Sequence, residues 1–375
     1  MIQKNIYIFL ILFSALALPQ SLRADIKKLE VDSNNFNNVV DDNVRESFSY
    51  SGLATFYNGL VAYIVDESGI KSLGGENFYA LSPNQHLAFV GHYKIMVVSN
   101  MNATFKFADE KLILKEGFNI EKVQLKLLLK SDLDQLPKPF KKLKYAQLWE
   151  PFRLLCIGVE VIFLWLQSLH SLGWGVTIIL LSLLFKILSL PANIFLTRSQ
   201  RNVSHIQVRL APELELIKTS FSGEEAHNKF MAAHKAEGVT PFYTLKPIML
   251  TLMPLPFLIA IFNVLGEVDL IAGHSFMWIR DLAYPDAVFY FGMHVPLIGG
   301  SVNLLPILMA LFTVFSALTH QNKIVTAKEL RKQKLNLYFM AFGFLLLFYP
   351  FPSAMVLYWT FATLWQIIQQ RFIRV

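Results

Sequence analysis

The chain has 375 residues, of which 54% are hydrophobic and only 16% charged, with a mean hydropathy of +0.43. Soluble domains carry about 25% charged residues, and the long apolar runs of the C-terminal two thirds mark an integral membrane protein instead. The formal net charge of +7 then reports topology and contact with anionic lipid rather than direct nucleic-acid binding. The single cysteine, Cys156, excludes an internal disulfide and a cysteine-based metal cluster.

The chain opens MIQKNIYIFLILFSALALPQ, one lysine ahead of an apolar run and then small residues. Residues 1–24 read as a signal peptide or a retained N-terminal anchor, and either one exports the segment after it. Residues 25–145 are polar, nearly balanced in charge, and alternate short β-type runs with turn signals. Ala54–Val65 is followed by Asp66-Glu67-Ser68-Gly69, and His92–Val98 by Ser99-Asn100; Ala103–Phe107 and Lys122–Leu129 come after. The pattern predicts an exported all-β, sandwich-like domain.

Pro137–Lys144 is a basic linker within a connecting region, 146–172 marking its membrane-proximal part. Residues 151–172 form an apolar helix with a narrow polar stripe of Arg153, Glu160, Gln167 and Ser171. That helix either lies in the membrane interface or spans; the interfacial reading fits the tight Gly173–Gly175 junction to the next run. Spans are expected at about 174–196, 245–265, 302–320, 336–349 and 354–370, within a core covering 173–371. Pro247, Pro254 and Pro256 break the second span, freeing carbonyls that need protein or water partners.

Segments 197–240 and 321–335 and the C-terminal tail are rich in Lys and Arg, whereas 266–300 has only Arg280. The positive-inside rule places the basic segments in the cytoplasm, which five spans after an exported domain satisfy. Within 197–240, Ile206, Leu210, Leu214 and Ile217 recur at helical spacing. Ser222-Gly223-Glu224-Glu225 has the capping-box pattern, and Gly238 closes the second helix. The region reads as a cytoplasmic helical hairpin.

From Trp174 to Leu190 the only charge is Lys186. A cation at bilayer depth costs roughly 2.5–3.5 kcal/mol on insertion scales. It therefore faces a polar cavity, or it snorkels along its stem to the interface. Metalloprotease, P-loop and nucleophile-elbow motifs are all missing from the sequence. His227 and His234 are seven apart, wider than the i, i+4 spacing of helical zinc ligands. No catalysis, metal or cofactor is expected.

Four stretches resemble the YidC family of membrane protein insertases. Trp174-Gly175 is followed by the cation at 186 and by Pro191, where the family has W-G-x-S-I-I-type text and an arginine. Phe230–Thr240, FMAAHKAEGVT, then Pro241, is similar to MALYKKEGVNP. Phe276–Leu282, FMWIRDL, is similar to F-L-W-I-x-D-L. Phe351–Gln370, FPSAMVLYWTFATLWQIIQQ, is similar to F-P-S-G-L-V-L-Y-W text ending in Q-Q. Leu304–Met309 adds L-P-I-L-M text, and the order and spacing of these pieces extend over about 151–371.

The resemblance implies a five-helix transmembrane insertase core with an interfacial helix and a cytoplasmic hairpin. It implies a polar groove open to cytoplasm and lipid and closed outside. Lys186 stands for the family's groove arginine, keeping the charge but not the forked donor geometry. Thr251 is the nearest polar stand-in for a glutamine often present, Thr363 replaces a frequent asparagine, and Tyr358 and Trp359 match an aromatic pair. Ser222, Gly223, Glu225, Phe230, Met231 and Gly238 carry the hairpin. Implied partners are nascent membrane proteins, anionic lipids and, as candidates, the Sec translocon and the ribosome. The implied location is the bacterial inner membrane, with the N-terminal domain periplasmic and the C-terminus cytoplasmic. A small-solute transporter and an assembly factor acting through its exported domain are the rival readings.

Overall fold

The computed structural model describes residues 36–44, 59–74, 77–82, 84–101, 104–114, 124–243, 245, 249, 252, 254–267, 269–295, 299–319 and 327–372. The expected leader at 1–24, Pro247 and Thr251 lie outside these residues. The chain is mostly helical, with antiparallel sheets concentrated in its N-terminal part, and two compact units divide near residue 143.

In the first unit, helix α1 (Phe36–Val44) precedes strands β1 (Val61–Asp66), β2 (Gly69–Ser72), β3 (Tyr79–Ala80), β4 (His86–Val90), β5 (Lys94–Ser99), β6 (Thr104–Ala108), β7 (Lys111–Leu114) and β8 (Gln124–Leu129). One sheet has the order β2-β1-β4-β5-β8 and the other β3-β6-β7, every pairing antiparallel. Ala62, Ile64, Leu87, Phe89, Met96 and Val98 of the larger sheet share one core with Phe105, Phe107 and Leu112 of the smaller. Each of these strands thus buries alternate residues against the other sheet, as a sandwich requires. The Asp66–Gly69 turn forms because the Asp66 Oδ1 accepts the backbone N–H of Ser68 at 2.9 Å and of Gly69 at 3.0 Å.

Helix α1 was not expected from the sequence, because its Asn and Asp residues read as loop. Phe36, Val40 and Val44, four apart, nevertheless place one apolar stripe on the core. The Asn37 side chain completes the edge of β7, donating to the Leu112 carbonyl at 2.9 Å and accepting its N–H at 2.8 Å. The strand expected from His92 begins only at Lys94, since the Gly91 N–H closes a turn onto the Lys94 carbonyl. A Cβ at Gly91 would meet the Val44 carbonyl oxygen at 2.4 Å, so only glycine lets α1 lie against this turn.

The second unit contains α2 (Glu150–Ser168), α3 (Trp174–Ser220), α4 (Gly223–Ala236), α5 (Leu255–Glu267), the hairpin β9 (Ala287–Val295) with β10 (Gly299–Asn303), α6 (Leu304–Thr319), α7 (Ala327–Phe348) and α8 (Ser353–Phe372). By length and composition, α2 and α3 are long and apolar enough to cross a membrane, and α5, Leu304–Ser316 and Lys334–Phe348 are shorter apolar stretches. Helix α3 runs through Pro191 and past 196 without a break, so the expected span and the first hairpin arm are one element. Pro254 and Pro256 sit at the start of α5, where a missing N–H removes no helical bond. Residues 287–295 and 299–303, expected as loop and span, form paired β strands instead.

Arg153, Glu160 and Gln167 of the expected polar stripe are turned into the protein, whereas α2 ends at Ser168 and Ser171 is exposed beyond it. Glu160 pairs with Lys144 at 2.7 Å, both nearly buried, and accepts the Tyr145 hydroxyl at 3.1 Å. Arg153 Nε donates to the Lys144 carbonyl at 3.0 Å, and the Thr177 hydroxyl meets Gln167. Leu154, Val161 and Trp165 form the exposed face. Between the helices, Val159, Phe163, Ile178, Ile261, Val264, Met309, Met355 and Leu357 make one continuous apolar core.

Candidate functional site

Helix α3 places Ser182, Lys186 and Ser189 on one stripe, and α8 places Trp359, Thr363 and Gln366 on the facing one. These two stripes, together with Thr313 and Ser316 of α6, supply polar groups to a cavity of about 700 Å³. Phe257, Leu258 and Ile261 of α5 and Leu337, Met340 and Phe344 of α7 supply its apolar wall. Five helices therefore line one recess whose wall is mainly apolar, with Lys186, Gln366 and a few hydroxyl groups set into it.

Lys186 projects into this recess, and its Nζ meets the Gln366 Oε1. Ser182 is buried against α8, where it accepts the Trp365 indole N–H at 3.0 Å. The Ser189 hydroxyl donates to the Lys186 carbonyl at 2.9 Å and accepts Asn193 Nδ2 at 3.1 Å. Trp359 is held in an aromatic cluster, its ring centroid 5.3 Å from that of Phe348, 5.5 Å from Phe344 and 5.8 Å from Phe262. The Thr363 hydroxyl donates to the Trp359 carbonyl of its own helix at 3.0 Å.

The end of the bundle nearest residues 269–286 is plugged. Trp174 packs on Phe163 and His274. A Cβ on Gly175 would meet the Phe276 ring at 2.1 Å, so α3 touches that ring with backbone alone. Asp286 Oδ2 accepts the Trp278 indole N–H at 3.1 Å and the N–H groups of Leu304 and Leu305 at 3.0 and 2.7 Å, capping α6. Burial pushes the Asp286 carboxyl up from its ordinary value, and these hydrogen bonds oppose that shift. The start of α8 is fixed by Ser353 N–H and Ala354 N–H, which donate to the carbonyls of Tyr284 and Leu282 at 2.8 and 2.9 Å. The cavity begins at Ser182 on α3 and at Tyr358 on α8, beyond this plug.

The opposite end carries the α3–α4 hairpin. Ile206, Leu210, Ile217 and Ala233 are its buried core, with Leu214 packed against them. Ser222 occupies the N-cap position of α4, but its hydroxyl makes no capping bond, so the expected capping box is realised only in position. Glu224 and Glu225 still complement the helix dipole. Phe230 stacks on His234 at 4.3 Å, Met231 is exposed, and Gly238, at φ +69°, ends the helix. None of these hairpin residues lines the cavity.

Of the expected groove residues, the structure brings Lys186, Tyr358, Trp359 and Thr363 to one cavity, while Thr251 lies outside the described residues. Ser182, Ser189, Thr313, Ser316 and Gln366 were missed. For Ser182, Ser189 and Gln366 the i, i+3 or i, i+4 relation to Lys186 or Thr363 was the available signal; Thr313 and Ser316 lie on a different helix and carried none.

A bundle of apolar helices, two of them long enough to cross a membrane, around a recess that holds a lysine fits a multi-helix membrane protein. The family model described as "60Kd inner membrane protein" matches residues 165–375, and the chain belongs to this family of inner membrane proteins, the YidC family. "Membrane protein insertase YidC" of Chlamydia trachomatis serovar D is 32% identical over 237 residues, covering 60% of this chain and 28% of that protein. The protein of the same name from Pelodictyon phaeoclathratiforme is 28% identical over 299 residues, covering 77% of this chain and 46% of its own length. The chain thus matches less than half the length of either relative. A crystal structure titled "Active YidC insertase crystal structure with the first transmembrane domain resolved" aligns with a TM-score of 0.41 at 17% identity, covering 83% of each chain.

Proposed function

We propose that this chain is a membrane protein insertase that acts by solvation rather than by bond-making, with no cofactor. The observation that carries the reading is the Lys186 amine inside a cavity shared by five helices and plugged at one end. The polar stripes of α3 and α8 hold water below the outer plug. An acidic or polar client tail loses less solvation there than in hydrocarbon, because Lys186 and its neighbours replace part of its water shell. The client's apolar segment slides along the wall of α5 and α7 and partitions into lipid, where burial of apolar surface supplies the driving force.

The topology that goes with this function places the plug and the β domain on the periplasmic side and the α3–α4 hairpin in the cytoplasm. Five spans run in α3, the 245–267 segment, α6, α7 and α8. Helix α2 lies along the outer boundary with its polar stripe on protein and Leu154, Val161 and Trp165 toward lipid. The hairpin, with exposed Met231, receives clients as they emerge during synthesis. Nascent membrane proteins are the substrates, and the Sec translocon, the ribosome and anionic lipids are candidate partners.

The test is complementation of cells depleted of their own insertase, with insertion of a single-span client tracked by protease protection. Restored growth and insertion support the reading, and membrane-integrated protein that restores neither refutes it. The rival assembly-factor reading, acting through the exported unit, predicts that deletion of 25–145 abolishes insertion; the insertase reading predicts that insertion survives.

A further inference from the structure

We propose that the β9–β10 ribbon is a membrane-seated foot, bedded in the headgroup–acyl boundary of the outer leaflet. Three consecutive residues of β9, Val288, Phe289 and Tyr290, are 53%, 62% and 66% exposed. Successive residues of a strand point to opposite faces, so at these three positions β9 is bare on both faces. From Ala287 to Asn303 the sequence has no Lys, Arg, Asp or Glu. An isolated two-stranded ribbon is marginal in water unless further strands or a helix pack against it. This one offers apolar side chains on both faces, each costing about 25 cal/mol per Å² of apolar surface left wet.

The backbone narrows the choice of surroundings. The ribbon pairs with no further strand among the described residues, so the outer N–H and C=O groups of both strands need hydrogen-bond partners. Hydrocarbon supplies none, which excludes deep insertion. A flat protein partner would cover one face and leave the other in water. The boundary between headgroups and acyl chains gives apolar contact to both faces and water to both edges, and it is where tyrosine is enriched.

The position of the ribbon fits. Its second strand ends at Asn303, and α6 begins at Leu304. Asn303 Nδ2 donates to the Tyr349 carbonyl at 2.6 Å, the Asn303 N–H donates to the Tyr349 hydroxyl at 3.1 Å, and that hydroxyl donates to the Ser301 carbonyl at 3.0 Å. The base of the ribbon is therefore pinned to the α7–α8 turn, at the plugged end and at the opposite end of α7 from its basic residues Arg331 to Lys334. The foot anchors the plug to the outer leaflet, so that the plug keeps its depth while the opposite end admits clients. Only the outward placement of the plug is shared with the insertase reading; client insertion plays no part in this inference.

The experiment uses the full chain with Cys156→Ala and single cysteines at Val288, Phe289 or Tyr290, each carrying a nitroxide. Each protein is monodisperse in detergent before reconstitution into phosphatidylethanolamine–phosphatidylglycerol vesicles. Power-saturation spectroscopy compares collisions with oxygen and with a nickel chelate. The expected result is an oxygen excess of several-fold at all three positions, at a depth just below the phosphates. A nickel excess at any of them would put that face in water and overturn the proposal. Protection from both reagents would show a protein contact, including one with a second copy of this chain, and would overturn it equally. Because all three side chains are exposed, the labels displace no packing, and agreement between adjacent positions tests the two-sided immersion directly.

Discussion

Lys186 and Gln366 set the electrostatics of the recess. At about 4 Å and an effective dielectric near 20, a charge pair is worth about 4 kcal/mol, and about 1.4 kcal/mol is a factor of ten. Lys186→Arg keeps the positive charge and is expected to keep insertion. Lys186→Glu is expected to slow insertion of acidic-tailed clients by at least about tenfold while sparing clients with neutral tails, as read by protease protection. Equal insertion of both client types by the glutamate variant would remove the electrostatic role. In the first unit, burial and, secondarily, the nearby Lys130 charge push the His92 imidazole down to about 3. The unfolded chain binds this proton below about pH 6.5. Stability of the β unit therefore falls as pH drops from about 6.5 toward 3, by about 1.4 kcal/mol per unit at most. Hydrogen exchange of residues 86–99 reads this slope, and His92→Gln should flatten it. Lys186 was legible in the sequence because a lone charge in an apolar run is costly. Gln366 was not, because a neutral amide near a helix end is common and its partner is 180 residues away.

At the scale of elements, Gly175 and the α3–α4 hairpin give the clearest tests. Gly175→Ala forces a Cβ into the Phe276 ring, and overpacking of this kind costs about 1–3 kcal/mol. The expected outcome is a lower melting temperature in detergent, with Phe276→Ala partly restoring it in the double variant. Removal of 222–238 is expected to reduce insertion without blocking membrane integration, and unchanged insertion would show the hairpin to be dispensable. Helices α3, α6 and α8 were legible because long apolar runs have few alternatives. The hairpin core was legible because Ile206, Leu210 and Ile217 repeat at helical spacing. Ribbon β9–β10 was not: Val288-Phe289-Tyr290-Phe291 lacks the polar alternation of a half-buried strand, and the stretch up to residue 300 read as the loop ahead of the span expected from 302. Helix α1 was hidden by the opposite problem, with polar residues outnumbering its single apolar stripe.

Along α3 lie, in order, the plug contact at Trp174 and Gly175, the recess from Ser182 to Ala192, and the basic hairpin arm. Leu330→Cys in the Cys156→Ala background is expected to react with an impermeant maleimide only after cells are opened; reaction in intact spheroplasts would reverse the topology. The β-rich N-terminal part and the mostly helical remainder were legible in composition, since apolar runs and β-type runs occupy separate parts of the chain. How five helices share one recess was not, because it depends on contacts between residues far apart in sequence, such as Ser182 with Trp365. The central claim, that the space around position 186 is wet, is tested most directly by thiol reactivity. Lys186→Cys and Thr363→Cys, each in the Cys156→Ala background in native membranes, are compared with Leu311→Cys on the exposed apolar face of α6. Thiolate forms only where water reaches, so positions 186 and 363 should react with N-ethylmaleimide many times faster than 311. Reaction at 186 as slow as at 311 would contradict the account.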